Sequence, residues 1–239
     1  MRLSGPVASF RYPFITVGRQ LSYPLPPLST LYGLLCAAWG DECPLKDLRI
    51  GYFFHTEAAS SYDTERLWYL KARETGGRGS PIEEIKSNVV RRELRTAFTL
   101  ELYVQAPDLE SWRMAFFRPA YWLTLGRSQE MVSLECIEEV EAHSVEAYTG
   151  SGPLWGGPSL YPLSWRPYFA GYYRAERMPV YMPIGERSPV LWAHFLQVTR
   201  SQPLRILPPD GYVVSSRGGR SYLIHLWRLD PLSWVKMTS

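Results

Sequence analysis

Thr96-Ala97-Phe98-Thr99-Leu100-Glu101-Leu102-Tyr103-Val104-Gln105, followed by Pro107-Asp108 and then Leu109-Glu110-Ser111-Trp112-Arg113-Met114-Ala115-Phe116-Phe117, is the stretch on which the fold turns. Its first part alternates apolar and polar side chains, the period of a half-buried strand. Pro107-Asp108 then opens a helix that runs to about Phe117 and is stopped by Pro119, after which Tyr121 to Leu125 resumes a strand pattern. Upstream, the same order precedes it. Residues 2 to 10 form a short strand and a Pro-rich loop follows; Ser29-Thr30 then precede Leu31 to Trp39, a helix capped by hydroxyls and stopped by Gly40. Arg49 to Thr56 reads as the next strand.

Joined together, these elements read β-α-β-β-α-β, the ferredoxin-like or RRM-like plan of an α+β domain. Residues 57 to 95 are an insertion between its two middle strands. The insertion has Leu67-Trp68-Tyr69-Leu70 as one strand, a glycine-rich tip at Gly76-Gly77-Arg78-Gly79 and a return through Val89 to Arg95. It reads as a protruding β-hairpin, or as a loop with a short helix at Ile82 to Lys86. The first strand reads as short, with Met1 to Ser4 before Gly5, as a truncated strand or an upstream start would leave it.

These readings divide the chain into an RRM-like domain over residues 1–140 and a β-rich region over residues 141–239. In the second part Tyr148 to Pro158 is dense in Gly, Pro and aromatics, so turns and short strands are expected. Leu191 to Thr199 and Tyr222 to Trp227 read as strands of one small second sheet, joined through Pro208-Pro209-Asp210-Gly211. Residues 154 to 173 carry no assignable role beyond a contact surface.

Composition sets the outer bounds. A chain of 239 residues, 46% hydrophobic and 21% charged, excludes disorder and fibrous repeats; 34 aromatics (9 Trp, 16 Tyr, 9 Phe) with 20 Pro and 18 Gly argue against an all-helical bundle. Cys36, Cys43 and Cys136 form no CxxC pair and leave an odd count, which fits a reducing cytoplasm and neither a disulfide scaffold nor a zinc site. No signal core or membrane span is legible. Phosphate-loop, GxSxG and HExxH motifs are absent, and His55, His143, His194 and His225 lack ligand spacing, so no cofactor and no metal are expected.

The net charge is only +3, but 22 of the 26 basic residues are arginine, the side chain that grips phosphate bidentately and stacks on rings. Arginines sit beside rings or neutral donors at loops and strand ends: Phe10-Arg11-Tyr12, Arg19-Gln20, Arg91-Arg92 with Arg95, and Arg127-Ser128-Gln129. Single-stranded RNA is read by such surfaces. The N-terminus of the helix at Ser29-Thr30 adds free N–H groups and a positive dipole end.

Gly5-Pro6-Val7-Ala8-Ser9-Phe10-Arg11-Tyr12-Pro13, the loop Tyr23-Pro24-Leu25-Pro26-Pro27-Leu28-Ser29-Thr30 with the helix after it, and the turn Leu125-Gly126-Arg127-Ser128-Gln129 together carry a resemblance. Over its first 130 residues the chain resembles the CRISPR-associated protein 5 family, RAMP-type subunits of type I CRISPR surveillance (Cascade) complexes. The resemblance implies an RRM-like domain with a hairpin thumb at residues 57–95, a small β-rich C-terminal part, and binding of the repeat-derived 5′ handle of a CRISPR RNA. The partners it implies are the backbone subunit and the large subunit, target DNA indirectly through the complex, and a transposition-associated adaptor as a further candidate.

Carried onto this sequence, the resemblance makes Arg11 and Arg19, with Gln20 beside them, handle contacts. Ser29 and Thr30 become a phosphate seat, Arg127, Ser128 and Gln129 another, and Arg91, Arg92 and Arg95 the lining of the thumb base. Tyr12, Tyr23 and Tyr32 are candidate stacking rings. The expected activity is non-catalytic RNA capping. One branch of the family cleaves precursor RNA with a Tyr, Lys and His grouping, for which His55 and Lys71 are the candidates here; a purely protein-binding subunit is the third reading.

Overall fold

A computed structural model describes residues 1–14, 18–40, 43–72, 82–150, 152–183, 191–215, 220–231 and 234. The first part of the chain runs β1 (Arg2–Ala8), β2 (Arg19–Gln20), α1 (Leu28–Trp39), β3 (Arg49–Ala72), β4 (Ile82–Gln105), α2 (Leu109–Phe117) and β5 (Ser133–Cys136). Strand β1 lies between β4 and β5, antiparallel to both, and β3 pairs antiparallel with the other side of β4. The alternation read in the sequence decides the faces: Phe98, Leu100 and Leu102 are buried with Tyr52 and Phe54, whereas Phe53 turns to the opposite side.

The inserted stretch is an extension of the middle strands themselves. Strands β3 and β4 run without interruption from the pair Arg49–Gln105 out to Ala72–Ile82, with register shifts near Ala58–Ser61 and at Lys71–Ala72. Residues 82–86 lie in β4, so the alternative of a short helix at Ile82 to Lys86 is not adopted. The β-branched and aromatic content of Tyr62, Thr64, Trp68, Val89 and Val90 suits a strand, and lengthening an existing ladder avoids a separate nucleation step. A strand of 24 residues spans on the order of 75 Å, so the outer half projects well beyond the sheet. The glycine-rich tip at Gly76 to Gly79 lies outside the described residues.

Two further expectations are corrected. Tyr121 to Leu125 does not supply the fourth strand; it makes only an isolated bridge, Thr124 to Met131, and the sheet strand is β5. Leu123 and Leu125 are buried as a strand pattern requires, but the chain reverses at once. Leu125 N–H donates to the Glu130 carbonyl at 3.0 Å and Val132 N–H to that of Leu123 at 2.9 Å, so the return leg enters the sheet. Helix α1 starts at Leu28 with Pro27 as its N-cap, and neither Ser29 nor Thr30 caps it with a side chain. The Pro27 carbonyl instead accepts from Thr30 N–H at 3.0 Å, which brings the hydroxyl residues inside the first turn. Helix α2 is capped as its sequence predicts, Asp108 accepting from Ser111 N–H at 3.0 Å.

The C-terminal part adds β6 (Ala142–Ser144), β7 (Leu154–Gly156), β8 (Ser159–Pro162), β9 (Arg174–Tyr181), β10 (Leu191–Val198), β11 (Gln202–Pro203), β12 (Tyr212–Ser215), β13 (Ser221–Ile224) and β14 (Trp227–Arg228). They form a sheet β8-β10-β9 and a sheet β11-β7-β13-β12-β6, while β14 joins the edge of the large sheet at β3. Leu191 to Thr199 and Tyr222 to Trp227 therefore do not share one sheet. The first helps cover the α1 side, where Met178, Val180 and Phe195 enter the main core, and the second covers the other face, where Val214 and Ile224 meet Phe53. Trp227, Leu229 and Trp234 also belong to the main core, which both parts of the chain build together. No helix among the described residues is long and apolar enough to cross a membrane.

Two buried phenols make the fold sensitive to alkali. Tyr52 donates to the Pro26 carbonyl at 2.9 Å and Tyr161 to the Gly157 and Leu223 carbonyls at 3.1 Å; burial raises the pKa of both well above the ordinary tyrosine value. Their stabilisation is complete below pH 10, where both states keep the proton. Above it the unfolded chain releases protons that the folded chain retains, so stability falls by up to about 1.4 kcal/mol per pH unit for each phenol. Melting temperature followed from pH 9 to 11.5 should drop progressively above pH 10, and a flat profile there would count against these burials.

Candidate nucleic-acid interface

Position in the ladder decides what each arginine at the thumb base can do. The loop after β1 returns so that β2 pairs parallel with β4, Arg19 beside Arg91 and Gln20 beside Arg92. Arg91 N–H donates to the Gly18 carbonyl at 2.8 Å and anchors this edge. Because successive side chains alternate between faces, Arg19 and Arg91 share one face and Gln20 and Arg92 the other.

On the first face stands Tyr62, diagonal to Arg91 across the β3–β4 ladder. The Arg91 guanidinium lies 4.3 Å from the Tyr62 ring centroid and that of Arg19 5.1 Å, and Arg19 also donates to the Tyr62 hydroxyl. Both arginines are exposed, and among the described residues neither forms an ion pair with a carboxylate. Two cations held on one ring, with no anion of their own, form a surface suited to phosphate and to a stacked base. Arg11, Ser128 and Gln129 are exposed as well.

The second face is closed. Arg92 is only 9% exposed and binds Gln20 and Glu65, with Nη2 of Arg92 3.0 Å from Oε2 of Glu65. Glu65 also pairs with Arg127, whose Nε reaches Oε1 of Glu130 at 2.7 Å. The Glu130 side chain is 0% exposed and accepts from Ser9 N–H at 2.9 Å, Ser9 Oγ at 2.8 Å and Arg127 N–H at 2.8 Å. Gly126 makes this turn possible. At φ 127° an L side chain is strained, and a Cβ there would collide with Glu130 Oε2 and the Ser9 carbonyl. On the first face, Glu93 stands opposite Tyr62, and Arg95, two residues further on, is engaged internally, donating to the Ser22 carbonyl at 2.9 Å and to Glu93 at 3.1 Å, while Glu93 accepts from Ser22 N–H at 3.0 Å.

The candidate stacking rings are also partly consumed by packing. Tyr12 and Tyr23 pack ring on ring, tilted by 30° with centroids 3.7 Å apart, and Tyr23 is fully buried, its hydroxyl donating to the Arg177 carbonyl at 3.2 Å. Burial and then the neighbouring Glu176, to which its hydroxyl donates at 3.3 Å, push the Tyr12 pKa up to about 12. Tyr32 is buried beside Tyr181, ring centroids 5.0 Å apart. Ser29 and Thr30 are half-buried. His55 and Lys71 lie on the same strand, sixteen residues and roughly 50 Å apart, so the fold does not bring them together. Among the described residues no group of three or more His, Cys, Asp or Glu side chains could hold a metal ion.

The structure thus gathers Arg19 and Arg91 onto one platform and commits Gln20, Arg92, Arg95 and Arg127 to internal bonds. Sequence reasoning missed Tyr62, Glu65 and Glu130. Glu130 directly follows the turn motif and was within reach; Tyr62 becomes visible only once the β3–β4 register is known.

A family model described as CRISPR-associated protein (Cas_Cas5) matches residues 1–189. No curated protein matches the sequence. Among solved structures, a chain of a "CRISPR RNA-guided surveillance complex" superimposes with a TM-score of 0.51 at 15% identity, covering 85% of this chain and 88% of that one, a likeness of fold. A chain of a "Type III-B Cmr-beta bound to cognate target RNA and AMPPnP" aligns at a TM-score of 0.46 and 10% identity, over 93% of this chain and 99% of that one, too low to carry an argument. Since the family model spans well over half of the sequence, the chain belongs to the CRISPR-associated protein Cas5 family.

Proposed function

We propose that the chain is a non-catalytic RNA-binding subunit of a type I CRISPR surveillance complex, where it caps the 5′ handle of the CRISPR RNA. Family membership supports an RNA-binding role in a CRISPR complex. The observation that carries the reading is the exposed Arg19–Tyr62–Arg91 platform at the base of the projecting hairpin. The strand order β5-β1-β4-β3 with one helix in each crossover supports reading the first part as a ferredoxin-like, RRM-like domain with β3 and β4 extended into a thumb. Contacts with backbone and large subunits are supported by the apolar side chains that the thumb leaves in water, Trp68 at 60%, Leu70 at 62% and Ile85 at 58% exposure. The separation of His55 from Lys71 favours capping over cleavage by that pair.

Binding of labelled repeat-derived 5′-handle RNA, measured over a salt series and with a gel for cleavage products, tests the proposal. The wild-type chain in its smallest soluble complex should bind the RNA intact. Arg19→Ala combined with Arg91→Ala should weaken binding about tenfold or more, and flatten the plot of log affinity against log salt by about 1.4, the share of two phosphate contacts on a single strand. RNA cut by the purified chain would replace capping with endoribonuclease activity, and an unchanged salt slope would remove the platform from the interface.

A further inference from the structure

The loop that brings Arg19 to the thumb base also carries Phe14, and Phe14 is 71% exposed. Its ring is not left to wander in water. It stacks on the indole of Trp192 in β10, centroids 5.3 Å apart and planes inclined by 22°, and the Arg177 guanidinium of β9 lies 5.3 Å from the same indole centroid. The chain on either side of the loop, at Phe10 to Tyr12 and at Ser22 and Tyr23, is pinned. Phe10 N–H donates to Ser22 Oγ at 2.8 Å, Tyr23 N–H donates to the Phe10 carbonyl at 2.8 Å, and Tyr12 and Tyr23 reach across to Glu176 and the Arg177 carbonyl of β9. A large apolar ring is thus presented on a fixed support with most of its surface open.

We propose that Phe14, seated on Trp192, is a second stacking site that takes one unstacked nucleobase of the bound RNA. This rests on the RNA-binding reading above and adds a site built partly by the C-terminal strands. Three observations point to a base. The stack of Phe14 on Trp192 is already near-parallel, so a planar ring extends it without rearrangement, and base–aromatic stacking tolerates any base because each has a π-face. Arg11 and Arg177 are exposed nearby on the same loop and on β9, supplying cations for the phosphates that accompany a base. Phe14 and Arg19 are five residues apart, at most about 18 Å along the chain, so one short single strand reaches both.

The test uses the full chain in its smallest soluble complex and an eight-nucleotide RNA of the 5′-handle sequence from the host's own CRISPR repeat. Companion RNAs carry an abasic ribose at each position in turn. Phe14→Ala should weaken binding of the intact RNA about 5- to 100-fold while leaving the salt slope unchanged, since no phosphate contact is lost. Trp192→Leu, which removes the support, should act in the same direction. An RNA abasic at one position should bind the wild type and Phe14→Ala equally, because without its base the Phe14 ring has nothing to stack on and its removal costs nothing more. Wild-type affinity in Phe14→Ala, with Arg19→Ala plus Arg91→Ala still weakened, overturns the stacking site and leaves the RNA reading standing. Additive losses at every abasic position also overturn it, as does a Phe14→Ala chain that binds RNA normally but no longer holds a partner subunit. Failure of the wild-type complex to bind the RNA overturns both readings.

Discussion

Glu130→Ala should lower the stability of the chain by about 3–5 kcal/mol, the cost of removing one partner from a buried, hydrogen-bonded ion pair. For a protein of this length, that shift is about 10 °C in melting temperature. The carboxylate is fully enclosed and takes two backbone N–H groups, the Ser9 hydroxyl and the Arg127 guanidinium. Deleting it strands those donors away from water and leaves Arg127 to Glu65 alone. Glu130→Gln keeps one acceptor oxygen in place and should lose less. Thermal or urea unfolding of the two variants beside Arg19→Ala measures the effect. A fall of under about 2 °C for Glu130→Ala would mean that the network is not holding the strand end to the turn.

That network explains what two recognisable sequence patterns have in common. Ser9 closes the strand end that begins at Gly5-Pro6, Arg127 lies in the Leu125-Gly126-Arg127-Ser128 turn, and both bind Glu130. The positive φ of Gly126 lets the turn approach closely enough for this. The patterns that pointed to RNA therefore also hold the domain together, and Arg127 contributes to the architecture through Glu65 and Glu130.

The longer elements were legible because their periodicity is strong: β4 from Thr96 onward, α2 with its Asp108 cap, and the apolar α1. The extent of β3 and β4 was not, since the outer residues 66–71 and 84–89 carry mixed polar and apolar side chains exposed on both sides, and a two-sided strand shows no alternation. Strands of two to four residues such as β2, β11 and β14 are too short for any period, so the three-sheet arrangement of the C-terminal part was hidden. The arginines illustrate the same limit. Arg91, Arg92 and Arg95 look alike in sequence, yet strand alternation and the pairing of β2 leave Arg91 on the open face with Arg19 and turn Arg92 towards Gln20 and Glu65. Phe14 and Trp192 lie 178 residues apart, and only the packing of the loop on β9 and β10 unites them.

The contrast between the two faces yields the second large effect. Arg19→Glu with Arg91→Glu should reduce handle affinity by more than about 100-fold near 0.1 M salt, because two contacts are lost and two anions are placed within a Debye length of the phosphate chain. Stability should change little: both side chains are exposed, what they give up inside the protein is a cation–π contact each with Tyr62, about 0.5–1 kcal/mol apiece, and the repulsion between two neighbouring arginines is exchanged for a similar one between two glutamates. Arg92→Ala is expected to behave in the opposite way. It removes the buried guanidinium that Gln20 and Glu65 share, so the melting temperature falls while the salt slope of RNA binding stays that of the wild type. Measuring melting temperature and salt slope on the same three proteins separates the roles. If Arg92→Ala flattens the slope as much as the double reversal does, or the reversal leaves affinity within twofold, the phosphate-facing surface is not the Arg19–Tyr62–Arg91 platform. Affinity lost on one face and stability lost on the other would assign the two sides of a single pair of strands to recognition and to support.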